Sequence, residues 1–528
     1  MNNRIISSVC AMVVSFLMIV SISKGATAEF RVTGNWNVAS NWKDSLIPTS
    51  ANYVYFNRAG LIGTINTADA VADQLWVGLD GVTTSVHLEN GGSLIANQIY
   101  LGKGGEGSFV QSGGSVSLSS SLSIGRDNGT GEYTQSGGTA SCGGMYIGRK
   151  NASQYGVFNI SGGTMGSSGP MYCGYDGTGI VNQTEGEVVF GSSITVGHYA
   201  TSYGEYNISG GNIYAGNNFY VGYQGVGKVV QTGGTNTVKT ACYVGRSTGA
   251  VGTYNLQGGT LALTNGADLY IAFSATTGEF NLGIDSTGNG KIVQTPTNTA
   301  CRLYVGGNTS VAATFRGFGN VELTDYFYMD GRVIGDGYGA DKTLDFSTLN
   351  RQIQTVTQNP TNGINGWYAQ NHGKVVLPAY GPIDSGTVRN WGENPSDSTI
   401  DLVNSARVTF NNINNGGSFV GALLAPDRTD INVSALDDVI AVWDFSGVDV
   451  GSGNVDIEFR YDHNAITNNG YAIEEQLKIF HYTSGKWSDV TTSIDMINKL
   501  ITVDAAPSLG LFAAVVPVPP SGTFIVIR

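Results

Sequence analysis

The chain has 528 residues, of which 76 are glycine and only 13% are charged, and its formal net charge is −13. Because nucleic-acid binding needs clustered Lys and Arg to neutralise phosphates, this acidic composition argues against a nucleic-acid partner. No apolar run beyond the N-terminal segment approaches the roughly 20 residues of a membrane-spanning helix, so we expect no transmembrane segment in the mature chain.

Residues 1–28 have the pattern of a secretory signal peptide. Arg4 supplies a positive charge, Val9–Ile22 an apolar stretch and Ala26–Ala28 a small-residue cleavage site. We therefore expect an exported protein, extracellular or on the cell surface, whose mature chain starts near Glu29.

A glycine-rich repeat dominates residues 76–306. Copies such as Gly131–Thr139 and Gly252–Thr260 place an aromatic residue shortly before a Gly-Gly pair. A second marker, a glycine that follows an apolar residue, recurs every 23 to 26 residues, at Gly78, Gly102, Gly125, Gly148, Gly174, Gly197, Gly222 and Gly245. A constant period in this range is typical of a solenoid, in which each repeat buries its apolar face against its neighbours.

Strand alternation assigns the two faces of each repeat. In Tyr133-Thr134-Gln135 the first and third side chains share one face, which we predict to be the interior. On the opposite face, the same alternation predicts an outward polar row of Asn159, Asn182, Asn207, Asn255 and Asn281. Three short strands with two glycine corners account for about 24 residues, which predicts a parallel β-helix of nine or ten coils, roughly 45 Å tall. The interior glutamines Gln111, Gln135, Gln183 and Gln231 need hydrogen-bond partners.

The flanking segments lack this period. Residues 29–75 are predicted to form an N-terminal cap and residues 307–378 a C-terminal cap, because an open coil would present an unpaired strand edge. Pro378–Pro382 indicates a linker, and the separate alternating strands of residues 383–515 predict a β-sandwich. Residues 516–528 form a Pro-rich tail. The predicted fold class is all-β, a parallel β-helix followed by a β-sandwich.

Several motifs resemble those of known exported proteins. They are Gly34-Asn35-Trp36 with Asn41-Trp42, the Ser-Gly-Gly coils, Gly366–Ala369, and Gln476–Lys478 with His481-Tyr482 and Trp487. The repeat is similar to the autotransporter-associated β-strand repeats, and the layout resembles secreted proteins of planctomycetes and related bacteria with a PEP-CTERM sorting signal. The resemblance implies a non-catalytic surface or matrix protein. The tail departs from it, since only Phe524–Ile527 is apolar after the Pro-rich segment.

Metal and cofactor sites find little support in the sequence. Cys142, Cys173, Cys242 and Cys301 form no metal-binding spacing, and we interpret them as small buried thiols. The loop acids Asp80, Asp127 and Asp176 are candidates for structural Ca²⁺, but a calcium site needs several converging oxygens and this row is interrupted, so we interpret them as solvated loop acids. Gly335–Asp341 resembles a calcium-binding nonapeptide, but such sites need tandem copies and this motif occurs once. We therefore predict a turn there. We expect no cofactor.

The candidate functional residues lie two positions before the marker glycines. Alternation points them outward as one aromatic column of Trp76, Tyr100, Tyr146, Tyr172, Tyr220, Tyr243, Tyr270 and Tyr304, interrupted by Ser123 and Thr195. The column has two interpretations. It binds sugar rings or an apolar patch of another protein, or its rings stabilise their own sheet through neighbours on the same face.

The sequence favours a non-enzyme. Its histidines are scattered, and neither a zinc-protease helix motif nor a Gly-x-Ser-x-Gly elbow is present. The leading hypothesis is a non-catalytic exported surface, extracellular-matrix or adhesion protein. The alternative is a module that binds or cleaves polysaccharide along the aromatic column. Polysaccharide and other surface or matrix proteins are the expected partners.

Overall fold

The structure, a computed structural model, describes residues 26–274, 276–283, 290–295, 300–306, 312–349, 353–354, 365–392, 402–450, 455–467 and 474–517. Most of the predicted signal peptide and of the Pro-rich tail lies outside these residues. Strands make up 57% of the structure and helices 3%, which confirms the predicted all-β fold class.

The described residues between Thr27 and Val376 form a parallel β-helix. Each regular coil contributes one strand to each of three faces, and each strand pairs in parallel with the strands one coil away. Face A carries the aromatic repeat, face B follows the Gly-Gly corner, and face C ends at the marker glycine. The pairing places identical slots of successive coils side by side, for example Tyr133 beside Phe158.

The strands of face A are Gly34–Asn35, Ile62–Ile65, Thr83–Leu88, Glu106–Gln111, Thr130–Gln135, Tyr155–Ile160, Thr178–Gln183, Tyr203–Ile208, Val226–Gln231, Val251–Leu256, Thr277–Leu282, Ala312–Gly317, Arg332–Asp336 and Gly366–Gln370. Two long strands, Ala70–Leu79 and Ser93–Lys103, run through faces B and C. Face B continues with Ser115–Leu118, Thr139–Cys142, Thr164–Ser167, Glu187–Phe190, Asn212–Ala215, Thr235–Val238, Thr260–Thr264, Lys291–Thr295, Gly319–Glu322, Lys342–Asp345 and Gly373–Val376. Face C also contains Thr27–Glu29, Tyr53–Phe56, Ser121–Arg126, Gly144–Arg149, Met171–Cys173, Ile194–Val196, Asn218–Val221, Ala241–Val244, Asp268–Ile271, Leu303–Val305, Phe327–Met329 and Ile353–Gln354.

The marker glycines have a steric origin. Gly174 has φ +73°, and a Cβ atom there would lie 2.3 Å from the carbonyl oxygen of Tyr203. A side chain would therefore be strained. It would also clash with the backbone of Tyr203, the first residue of a face A strand two coils further on. The sharp turn therefore favours glycine at this slot, which Ala272 occupies in one coil with φ +55°.

The parallel stack is longer than the repeat motif indicates. At the N-terminal end Thr27–Glu29 already pairs with Tyr53–Phe56, and Phe30, Trp36 and Trp42 pack around Phe56 beside the 3-10 helices Ala39–Asn41 and Lys43–Ser45. At the other end the pairing continues through residues 312–376. Fourteen strands in face A correspond to a stack roughly 60 Å tall. Both predicted caps thus consist largely of further coils.

The described residues between Thr387 and Val516 form two antiparallel sheets that pack as the predicted β-sandwich. One contains Val420–Leu424, Asp438–Ser446, Leu511–Val516, Lys478–Thr483 and Lys486–Asp489, and the other Thr387–Trp391, Ala406–Phe410, Val455–Arg460, Leu500–Ala506 and Ser493–Asp495. The α-helix His463–Thr467 and the 3-10 helix Glu474–Gln476 connect strands. Trp443 and Phe459 meet across the sheets with ring centroids 4.7 Å apart.

The sandwich is not a separate domain behind a linker. Val420–Leu424 pairs antiparallel with Gly373–Val376, so the first sandwich sheet continues face B. Nε1 of Trp367 donates to the carbonyl of Gly392 at 2.8 Å, and Nδ2 of Asn404 donates to the carbonyl of Trp367 at 2.6 Å. The sandwich therefore closes the C-terminal end of the solenoid, and one hydrophobic core runs through both.

Candidate functional site

The predicted aromatic column lies on the outside of face C. Met145 and Ile147 are fully buried, whereas Tyr146 between them is half-buried and pairs with Tyr172. The column includes all eight predicted residues in register, Trp76, Tyr100, Tyr146, Tyr172, Tyr220, Tyr243, Tyr270 and Tyr304, with Ser123 and Thr195 in the two gaps. Tyr55 and Tyr328 extend it at its ends. The sequence missed them because both lie outside residues 76–306, where the repeat is regular.

The flat faces of many column rings are occupied by neighbouring rings. The planes of Tyr243 and Tyr270 differ by 8° at a centroid distance of 4.8 Å, and those of Tyr304 and Tyr328 by 4° at 4.2 Å. Tyr146–Tyr172, Tyr220–Tyr243 and Tyr270–Tyr304 are stacked in the same way. Between its ends a stacked run presents ring edges to solvent, whereas a sugar ring stacks on an aromatic face. This geometry agrees with the interpretation that the rings stabilise their own sheet.

Several polar atoms of the column are held by the residue two positions earlier in the same strand. Nδ2 of Asn218 donates to the Tyr220 hydroxyl at 2.8 Å. The Tyr270 hydroxyl donates to Oδ2 of Asp268 at 3.1 Å, and Nε1 of Trp76 donates to the side chain of Gln74 at 3.0 Å. These bonds fix the orientation of the ring edges.

A second row, which we call the corner row, packs against the column. It consists of the charged and aromatic residues that follow the marker position, namely Lys103, Arg126, Arg149, Tyr175, His198, Tyr223, Arg246 and Phe273. The Lys103 ammonium lies 3.7 Å from the Trp76 ring centroid, and the Arg149 guanidinium lies 4.1 Å from that of Tyr146. The cations and rings that follow most markers were visible in the sequence, but their contact with the column was not.

His198 lies at the centre of an aromatic cluster where Thr195 leaves a gap in the column. The centroids of Tyr172, Tyr175, Tyr199 and Tyr223 lie 4.5 to 5.3 Å from its ring. Its Nδ1 is buried and has no hydrogen-bond partner among the described residues. Burial lowers the pKa of His198 to about 4, so the ring is neutral at physiological pH.

The loop acids considered for calcium make contacts of other kinds. Asp127 lies 2.9 Å from Nζ of Lys150 and 3.3 Å from Nε of Arg126, and Asp176 accepts from the backbone N–H of Lys150. Within the ranges that the structure describes, no group of three or more His, Cys, Asp or Glu side chains could hold a metal ion.

All four cysteines after the signal segment are buried and free, as interpreted from the sequence. Burial raises the pKa of Cys142 to about 11 and that of Cys173 to about 12. These thiols are therefore protonated and unreactive at neutral pH.

No protein-family model, no curated protein and no solved structure matches the chain. The similarity to exported repeat proteins therefore stays a prediction from the motifs quoted for it. Among the helices in the described residues, none has the length and hydropathy needed to cross a membrane.

Proposed function

We propose that this chain is an exported, non-catalytic protein of the cell surface or extracellular matrix, in which the solenoid is a stiff element for adhesion or matrix assembly. The observation that carries the proposal is the stack of parallel coils between Thr27 and Val376, which the strand Val420–Leu424 closes at one end. Each coil is bonded mainly to its neighbours, so such a stack forms an extended surface.

The outer side chains support this proposal because many of them bond to the next coil. Nδ2 of Asn182 donates to Oδ1 of Asn159 at 2.9 Å, and Nδ2 of Asn207 donates to Oδ1 of Asn182 at 3.0 Å. Together with the stacked aromatic column, these rows stiffen the coil surface. The predicted signal segment supports export.

Fractionation of the native organism tests the proposal. Antibody to the solenoid should find the protein in the envelope or the medium, and N-terminal sequencing should place the first residue near Glu29. Loss of the gene should reduce attachment or matrix cohesion. Full-length protein confined to the cytosol, or release of reducing sugar from polysaccharide by the purified chain, would overturn it.

Polysaccharide binding along the aromatic column is the alternative, and the outward register of its rings is the observation in its favour. Because stacking covers many of the ring faces, this function would use ring edges and hydroxyl groups. Replacing Tyr146, Tyr172, Tyr220 and Tyr243 together with Ser tests it on a glycan array. Unchanged glycan binding by a folded variant would exclude the column as the binding surface.

A further inference from the structure

A polar cleft opens on the outside of face A, away from the aromatic column. It has a volume of about 360 Å³ and is lined by Thr253, Asn255, Glu279, Asn281, Arg316 and Tyr338. Arg316 follows Asn281 in the register, so the cleft lies where the outward asparagine row ends. Its volume is within the range of small-ligand sites.

A buried carboxylate positions one wall of this cleft. Asp336 is fully buried, and its Oδ2 accepts from Nε of Arg316 at 2.7 Å and from Nε2 of Gln370 at 2.8 Å. Its Oδ1 accepts from the backbone N–H of Tyr338 at 2.9 Å. Burial alone would raise the pKa of Asp336, but these donors outweigh burial and hold the pKa below its usual value. The ion pair and the backbone bond thus fix the guanidinium of Arg316 and the backbone of Tyr338 before any ligand arrives.

Tyr338 has an unusual backbone conformation. Its φ is +50°, a left-handed conformation that costs free energy for a residue with a Cβ atom. Strain of this kind concentrates at functional sites. The half-buried ring lies 5.6 Å from the Arg316 guanidinium and 6.1 Å from the Phe318 ring.

The other wall offers amide and carboxylate groups. Nδ2 of Asn281 donates to Oδ1 of Asn255 at 2.9 Å and to Oε1 of Glu279 at 3.0 Å. These bonds fix the wall and leave Oε2 of Glu279 and Nδ2 of Asn255 without a hydrogen-bond partner in the part of the chain that the structure describes. The cleft therefore offers Glu279 as a hydrogen-bond acceptor and Asn255 as a donor to the hydroxyl groups of a ligand. It also offers the Tyr338 ring to an apolar face of that ligand.

We propose that this cleft binds a neutral pyranose, as a free glycoside or as one unit of a glycan. A pyranose has hydroxyl groups for Glu279 and Asn255 and an apolar C–H face for Tyr338. Asp336 neutralises Arg316, so Glu279 leaves the cleft with a net negative charge that repels acidic sugars. Sugar binding in this cleft does not depend on where the protein resides.

The repeat supplies substitutions that preserve the fold. The Glu279 slot holds Thr253 in one neighbouring coil and Thr314 in the other, so Glu279→Thr copies an accepted residue. Asn255→Val copies Val230 in the same way. Glu132→Thr is the matched control, because it makes the same Glu-to-Thr change at the equivalent slot of a distant coil of face A.

Calorimetric titration of the full chain with methyl glycosides of glucose, galactose, mannose and N-acetylglucosamine, and with methyl glucuronide, tests the inference. At least one neutral glycoside should bind, and Glu279→Thr should weaken it by about tenfold or more, as loss of a charged hydrogen bond predicts. Glu132→Thr should leave the affinity unchanged, and the glucuronide should bind more weakly.

Absence of binding by every neutral glycoside would overturn the proposal. It would also fail if the glucuronide bound most tightly, or if affinity survived in both Glu279→Thr and Asn255→Val. Thermal unfolding checks that each variant is folded, and if Glu279→Thr does not fold, Asn255→Val decides the question.

Discussion

Buried glutamines tie successive coils together at the residue scale. Nε2 of Gln111 donates to the carbonyl of Thr139 at 3.0 Å, and the Tyr133 hydroxyl donates to Oε1 of Gln111 at 2.6 Å. The same pairing recurs in Gln183 with Tyr206 and in Gln231 with Tyr254. Gln135 is the exception, since Phe158 occupies the tyrosine slot and Oε1 of Gln135 is buried without a partner in the described residues.

Phe158→Tyr should therefore stabilise the protein. The new hydroxyl would donate to Oε1 of Gln135, in the geometry that Tyr133 shows with Gln111 one coil earlier. Since a net hydrogen bond contributes about 1 kcal/mol, we expect the free energy of unfolding to rise by about that amount. Guanidinium denaturation measures it.

Phe109→Tyr is the matched control for this prediction. The residue that its hydroxyl would meet in the preceding coil is Leu88, which offers no side-chain acceptor. A buried hydroxyl without a partner is destabilising, so the free energy of unfolding should fall by about 1–3 kcal/mol. Equal effects of the two substitutions would contradict the Gln–Tyr pairing.

His198 should make stability depend on pH. Its pKa is about 4 in the folded protein and 6.5 in a model compound, so between these values the unfolded chain binds more protons. The stability contribution is therefore present above about pH 6.5 and is lost as the pH falls towards 4. His198→Tyr, which copies Tyr175 and Tyr223 in the corner row, should reduce this slope in denaturation midpoints between pH 4 and 7. If His198→Tyr had the unmodified slope, the aromatic cluster would not hold a neutral histidine.

At the scale of the element, the outward asparagines of face A form two ladders instead of one. Asn159–Asn182–Asn207 and Asn255–Asn281 are each joined by side-chain hydrogen bonds. Val230 stands between the two, paired with Asn207 on one side and Asn255 on the other.

Val230→Asn should join the ladders. The new amide lies beside both neighbours, and one added bond predicts a gain of about 0.5–1 kcal/mol in the free energy of unfolding. Val226→Asn on the same strand and face lacks amide neighbours, since it pairs with Tyr203 and Val251, and should show only the lower strand propensity of asparagine. A loss of stability from Val230→Asn as large as that from Val226→Asn would exclude a continuous ladder.

At the scale of the whole molecule, the sandwich protects the last coil. Val420–Leu424 covers the edge of Gly373–Val376, and the buried Arg428 donates from Nη1 to the carbonyls of Lys342 at 3.1 Å and His372 at 2.8 Å. Because unprotected strand edges promote association, this contact matters for solubility as well as for stability.

A chain that ends at Leu377 should therefore associate. It would expose the edge of face B and the buried Trp367, so size-exclusion chromatography with light scattering should detect oligomers or aggregates. A chain that ends at Pro517 retains the whole described sandwich and should behave like the full chain. A monomeric, equally stable product from the shorter truncation would show that the solenoid ends without protection.

The sequence predicts the regular coils well because each side chain there lies beside the residue at the same slot of the next coil. Tyr146 and Tyr172 were placed correctly on the outside by alternation alone. Alternation says nothing about ring orientation, so the stacking that covers the ring faces was not foreseen. Arg316 and Tyr338 were missed as neighbours of Glu279 because the repeat is irregular in that region.

By itself the sequence determined the all-β class, the coil period, the direction of most side chains and the presence of a C-terminal sandwich, since glycine spacing and alternation act locally. Tertiary structure alone decided how far the coils extend, because backbone pairing continues where the motif has faded. It also decided that the sandwich closes the stack and that a buried carboxylate orders the polar cleft, since both depend on residues far apart in the chain that meet only after folding.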